Sequence, residues 1–168
     1  MREQYGEILK ALGKLVSFRT VESSPEEDAP FGGEIRRALR YVLDLGESMG
    51  FETVNYDNYL GEIAWGEGEE LGVIGHIDVV PEGDGWHTPP YFDDRVAGRG
   101  VTDDKGPTLI CLYAMKSLKD AGVRPRRRVR FFIGCNEETG WKDIAYFTAS
   151  HRFPRFGFSP DGEFPVVY

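Results

Sequence analysis

The chain has 168 residues, the length of one domain, and its 40% hydrophobic and 13% aromatic content is enough to bury a core. Its 28 acidic against 20 basic residues leave a formal charge of −8, which excludes a nucleic-acid binder that relies on net positive surface. No apolar run approaches the roughly 20 residues of a membrane span, and the opening "MREQYGEILK" is polar and amphipathic rather than a signal peptide.

Residues 3–17 carry Tyr5, Ile8, Leu9, Leu12, Leu15 and Val16 at helical spacing. "ESSPEEDAPFG" at 22–32 is a loop of Ser, Pro and acids. A second helix is predicted over 33–49, with Ile35, Leu39, Val42 and Leu43 on one face and Gly50 beyond its end. Strand-like runs follow at 51–56, 60–65 and 70–77, then a loop rich in Gly and Pro over 81–94. "VAGRGVTDD" leads into a third helix at 104–121, for which Thr102 or Asp103 is the natural N-cap. The basic run "RPRRRVR" at 124–130 reads as a solvated lead-in to the apolar strand 128–134 rather than a phosphate patch. A fourth helix is expected near 140–149 and a short strand at 156–160. Cys111 and Cys135 sit in apolar surroundings outside any CxxC and read as reduced core thiols of a cytoplasmic protein. Strands alternating with helices predict an α/β layer fold.

Polar residues collect where the strands end. In "GHIDVVP" at 75–81, His76 and Asp78 stand two apart and share one side of the strand. They are either a satisfied polar pair or half of a site. Asp103 and Asp104 open the third helix, Glu137 and Glu138 follow the strand 128–134, and Asp161 follows the last strand. Ligands of open α/β sheets bind beyond the carboxyl ends of strands. Acids gathered at one such end repel one another and call for a compensating cation. Each motif alone has a plain structural reading: a polar strand end, a helix cap, a charged turn, and the good turn sequence "SPDGE". All four at the ends of separate strands point to a divalent metal. Mixed imidazole and carboxylate ligands suit Zn2+, with Co2+ or Mn2+ as substitutes.

"GHIDVVPEGDGW", "GRGVTDDKGP", "GCNEETGW" and "FGFSPDGEFP" together resemble the metallopeptidase-20 family, which includes glutamate carboxypeptidase, aminoacylase and succinyl-diaminopimelate desuccinylase. "APFG" at 29–32 and "DNYLGEIAWGEGEE" at 57–70 are similar to its dipeptidase V-like branch, the Xaa-His or β-Ala-Xaa dipeptidases. The resemblance implies a three-layer α/β/α fold around a mostly parallel mixed sheet. It also implies two zinc ions and hydrolysis of dipeptides or small peptides through a metal-bound hydroxide, with no covalent intermediate. On the matched positions, His76 and Asp161 are implied as ligands of the first metal, and Asp78 as the group that holds the His76 ring. Asp103 is implied as the carboxylate bridging both metals, Glu138 as a ligand of the second, and Glu137 as general base.

The chain also departs from that pattern. Family members continue past "FSPDGEFP" into a lid domain, then return to the catalytic domain with a last histidine ligand. This chain stops at Tyr168, inside "EFPVVY", which reads as an unfinished strand. Residues 1–168 are therefore expected to be a single, partial catalytic domain. Neither His87 nor His151 matches the missing ligand. The first metal site is expected to bind and the second to be weak or empty. The alternative is an inert fragment that folds and holds at most one metal. Asn136 stands where the family often has Asp, and "PPYFDDRVAGRG" predicts a trimmed hairpin before Gly98. A sheet with fewer strands leaves an open edge or apolar face, so a homo-oligomer is expected, with no nucleic-acid or membrane partner.

Overall fold

The computed structural model describes residues 2–86, 91–92 and 95–162. Two helices come first, α1 (Arg2–Val16) and α2 (Gly33–Ser48). Three strands follow, β1 (Glu52–Tyr56), β2 (Leu60–Trp65) and β3 (Glu70–His76). A short hairpin, β4 (Tyr91–Phe92) with β5 (Arg95–Val96), precedes α3 (Lys105–Asp120). The described chain closes with β6 (Arg128–Gly134), α4 (Lys142–Thr148) and β7 (Gly157–Phe158). A hairpin therefore does stand before Gly98. His87 and the terminal "EFPVVY" lie outside the described residues.

The main sheet has the order β1-β2-β6-β3-β7. β1 and β2 pair antiparallel, as do β2 and β6, whereas β3 runs parallel to both β6 and β7. The sheet is thus mixed, as expected, but parallel pairings make up half of it rather than most. Alternation along the strands sends Ile63, Val73, Phe131 and Ile133 to one face, where they pack with Leu15, Leu39, Leu109 and Leu112 of α1, α2 and α3. Leu60 and Phe132 point the other way and meet Phe147 of α4. The result is three unequal layers. Close approach of α2 depends on glycine, because a Cβ on Gly61 would lie 2.8 Å from Leu39 Cδ1 and one on Gly46 would lie 2.8 Å from Ile63 Cδ1.

Two local expectations are corrected. Asp104, not Thr102 or Asp103, occupies the cap position of α3, and its side chain makes no capping bond. It reaches across to β3 instead. The basic run is not simply a solvated lead-in either. Arg127 pairs with Glu69 and Arg128 with Glu52, while Arg130 is clamped between the buried Glu62 and the exposed Glu70. Acids on β1, β2 and β3, with Glu69 just before β3, thus pair with three of the run's arginines. Among the described residues, no helix is long and apolar enough to cross a membrane.

One register positions everything that follows. His76 lies opposite Gly134 on neighbouring parallel strands. Both strands therefore release their chains at the same end of the sheet. The N-terminus of α3 reaches that end as well, since Asp104 accepts the His76 amide proton. So does the segment after β7, where the Ser159 hydroxyl donates to the Ile74 carbonyl.

Candidate metal centre

His76 ends β3 with only 3% of its surface exposed. Its Nδ1 lies 3.0 Å from the Asp78 carbonyl and 3.4 Å from Asp78 Oδ1. Two acceptors on this side favour a proton on Nδ1, which leaves the Nε2 lone pair as the free ligand of the neutral ring. Nε2 faces three carboxylates from three separate segments: Asp103 Oδ1 at 3.1 Å, Asp161 Oδ2 at 3.6 Å and Glu137 Oε2 at 3.9 Å. His76, Asp103 and Asp161 each bring a ligand atom within 4.8 Å of the others.

Asp103 and Asp104 are neighbours with opposite surroundings. The Asp103 side chain is 64% exposed and turned to His76. Asp104 is fully buried. Its Oδ2 accepts the His76 amide and the Thr108 hydroxyl, both at 3.0 Å, while Oδ1 has no partner among the described residues. This packing needs Gly75, where a Cβ would come 2.4 Å from Thr108 Oγ1 and 2.6 Å from Asp104 Oδ2.

Asp78 is likewise buried and does more than steady the imidazole. Its Oδ1 accepts the Glu137 amide at 3.1 Å and its Oδ2 the Glu138 amide at 3.0 Å. One carboxylate therefore ties the end of β3 to the turn after β6. Both glutamate side chains are half-buried, and Glu138 lies outside the three-residue cluster. Asn136 organises the same turn. Its Nδ2 donates to Thr139 Oγ1 at 2.6 Å, its Oδ1 accepts the Lys142 amide at 3.1 Å, and its carbonyl accepts the Trp141 amide at 2.8 Å. An amide side chain serves here as donor and acceptor at once, which an ionised Asp cannot do.

The electrostatics follow from this crowding. Burial pulls the His76 imidazole down, but the hydrogen bond and charge of Asp78, with Asp104 and Glu137, overcome it and lift the ring to about 10. Burial pushes Asp104 up to about 7. Burial also raises Glu137 and Glu138, and nearby acids add to it: Glu138, Asp161 and Asp78 for Glu137, Asp103 and Asp78 for Glu138. Among the described residues, no lysine or arginine forms an ion pair with Asp103, Glu137, Glu138 or Asp161. One imidazole and a surplus of carboxylates without a basic partner is a donor set that fits a divalent cation.

The structure thus brings together His76, Asp103 and Asp161, with Glu137 at their edge and Asp78 beneath. Glu138 is carried on the same turn. His151 is elsewhere, stacked on Phe147. Sequence reasoning missed the framing acids, Asp104 in its actual role and Asp143 altogether. Asp143 left one signal: it shares with Phe147, four residues on, the inward face of a short helix, where an acid is out of place.

Comparison with known proteins agrees with this geometry. Residues 72–163, more than half of the chain, match the model of peptidase family M20/M25/M40. A β-Ala-Xaa dipeptidase of Lactobacillus delbrueckii subsp. lactis is 39% identical over 168 residues, covering 95% of this chain and 36% of that protein. The YtjP protein of Bacillus subtilis, provisionally named a dipeptidase, is 40% identical over 151 residues, covering 87% and 33%. The chain spans about a third of the length of these curated relatives. Human carnosine dipeptidase 1 shares the fold with a TM-score of 0.77 at 20% identity, over 96% of this chain and 39% of that one. Four strand-end motifs, a shared fold and a match over more than half of the chain lead to one conclusion: this chain belongs to peptidase family M20/M25/M40.

Proposed function

We propose that the chain is the metal-binding part of a dipeptidase that hydrolyses the amide bond of dipeptides or small peptides. The observation that carries this reading is the convergence of Asp103, Asp161 and Glu137 on His76 Nε2. His76, Asp103 and Asp161 would hold a divalent cation, Zn2+ by preference with Co2+ or Mn2+ as substitutes. Asp103 and Glu138 would hold a second. When bound, the metal supplies Lewis acidity, which lowers the pKa of a coordinated water and polarises the scissile carbonyl.

The protein's own groups do the rest. Glu137 takes a proton from the attacking water and delivers it to the leaving amine. Its raised pKa suits a group that must both accept and release a proton. Asp78 fixes the His76 ring and, through two amides, the turn that bears both glutamates. The cavity beside His76, about 70 Å³ and lined by Glu137, Trp141, Ser159 and Asp161, has room for small ligands but not for a dipeptide. The peptide would lie across its open side.

One observation favours a narrower second reading. Glu138 stands outside the three-residue cluster. The first cation site is therefore the stronger, and a chain holding a single cation would fold and bind metal without turnover. Metal content measured together with dipeptide hydrolysis separates the two readings, with Glu137→Ala as control. Turnover by the wild-type chain that disappears in the variant supports the dipeptidase. Tight binding of one cation with no turnover supports the narrower reading.

A further inference from the structure

The turn after β6 is held in an unusual way. Four consecutive backbone amides, from Cys135 to Glu138, all donate to buried carboxylates. Asp143 Oδ2 accepts from Cys135 at 2.7 Å and from Asn136 at 3.0 Å. Asp78 accepts from Glu137 at 3.1 Å and Glu138 at 3.0 Å. The other oxygen of Asp143 accepts the Ile144 amide at 2.7 Å, so this anion is saturated by three N–H donors. Asp78 and Asp143 are each only 1% exposed.

A chain leaving a buried strand must find new partners for its amides, and a neutral oxygen is the cheaper solution because a buried carboxylate carries a large desolvation cost. The same end of the sheet shows the cheaper solution: beyond β3 the Val79 amide donates to the neutral carbonyl of Thr20 at 3.0 Å. Charged acceptors make shorter and stronger bonds, and they hold a backbone more tightly. What distinguishes the 135–138 turn is its load. Glu137 and Glu138 project from it toward His76 and Asp103.

We propose that Asp143 is a positioning residue for the reaction. It fixes the first half of the turn as Asp78 fixes the second, and so holds Glu137 at its distance from His76 Nε2. This rests on the reading of Glu137 as the base. Asp143 borders the small cavity beside His76, but its hydrogen bonds all go to backbone amides and none to a candidate ligand's carboxylate, so its effect passes through the backbone of residues 135–138.

The test uses Asp143→Ala and Asp143→Asn in the full chain. Asn can keep its oxygen on Cys135 and Asn136 while its NH2 group opposes the Ile144 amide, so it is the milder change. In the metal-free chain, amide hydrogen exchange at Glu137 and Glu138 should accelerate at least about 10-fold in Asp143→Ala and less in Asp143→Asn. Zn2+ affinity at the His76 site should stay within about 3-fold. With Zn2+ bound, kcat should fall about 10–100-fold with KM little changed, and Asp143→Asn should recover part of the loss.

A purely structural role predicts a different pattern: faster exchange confined to α4, with Glu137, Glu138 and kcat unaffected. That pattern overturns the proposal. If Asp143→Ala does not fold, Asp143→Asn decides by the same exchange and kcat readouts. A wild-type chain without turnover favours the narrower single-cation reading and leaves the exchange readout to decide, whereas unchanged exchange at Glu137 and Glu138 refutes the clamp on its own.

Discussion

Two sets of acids meet at the carboxyl end of this sheet, and they behave in opposite ways. Asp103, Glu137 and Asp161 form an open rim around His76 Nε2, with Glu138 carried beside Glu137 on the same turn. Asp78, Asp104 and Asp143 lie buried beneath it and take hydrogen bonds from backbone amides. The two kinds even alternate along the chain, with Asp103 on the rim and Asp104 in the frame. A residue type therefore does not tell a ligand from a support. The partner does: a carboxylate whose lone pairs are spent on N–H groups has little left for a cation, whereas one that faces only other acids needs one.

The comparison can be broken most sharply at the rim. His76→Ala should lower Zn2+ affinity more than about 100-fold, beyond the usual cost of losing a supporting contact, as read by calorimetric titration. An unchanged affinity would mean that the rim is not a site. Asp78→Ala tests the frame. It frees two amides and a ring contact, so Zn2+ affinity should fall about 10–100-fold. Chemical denaturation should show a loss of about 2–5 kcal/mol. A loss of affinity with no loss of stability would move Asp78 from frame to rim.

The pH dependence tests both sets at once. Asp104 is raised to about 7, and Glu137, Glu138 and Asp143 are raised as well, in each case first by burial. The folded metal-free chain thus binds more protons than the unfolded chain between about pH 4 and 7, and its stability should fall as pH rises through that window. Glu22, Glu52 and Glu82 shift the other way, but they sit near the surface where solvent screens them. Excess Zn2+ should reverse the slope, since a cation competes with protons for the rim. Denaturation curves at pH 4.5 and 7, with and without Zn2+, read the sign directly; equal slopes in both conditions would contradict the account. The smallest effect is expected from Glu138→Gln, which should change affinity at the His76 site by less than about 3-fold, because Glu138 stands outside the cluster.

Much of this was legible in the sequence. Periodicity placed the helices and main strands within two residues, because apolar spacing reports directly on which face is buried. The acids were visible as residues out of place at strand ends, and the four motifs carried the family. Other features were not legible. The β2–β6 pairing is antiparallel, and pairing direction is not written in the apolar pattern of a strand buried on both faces. The cap of α3 was expected at Thr102 or Asp103 because such residues commonly cap helices, yet Asp104 takes that position and its oxygen goes to the His76 amide and Thr108 hydroxyl instead. Asp143 was hidden because its partners, the amides of Cys135 and Asn136, are backbone groups that no motif displays.

The central claim is that His76, Asp103 and Asp161 form one cation site that is stronger than any second site. Calorimetric titration of the metal-free chain with Zn2+, wild type beside Asp161→Ala, tests it most directly. The account predicts one tight site in the wild type, lost or greatly weakened in Asp161→Ala, and at most a much weaker second. Two equally tight sites, or a single site indifferent to Asp161→Ala, would contradict it.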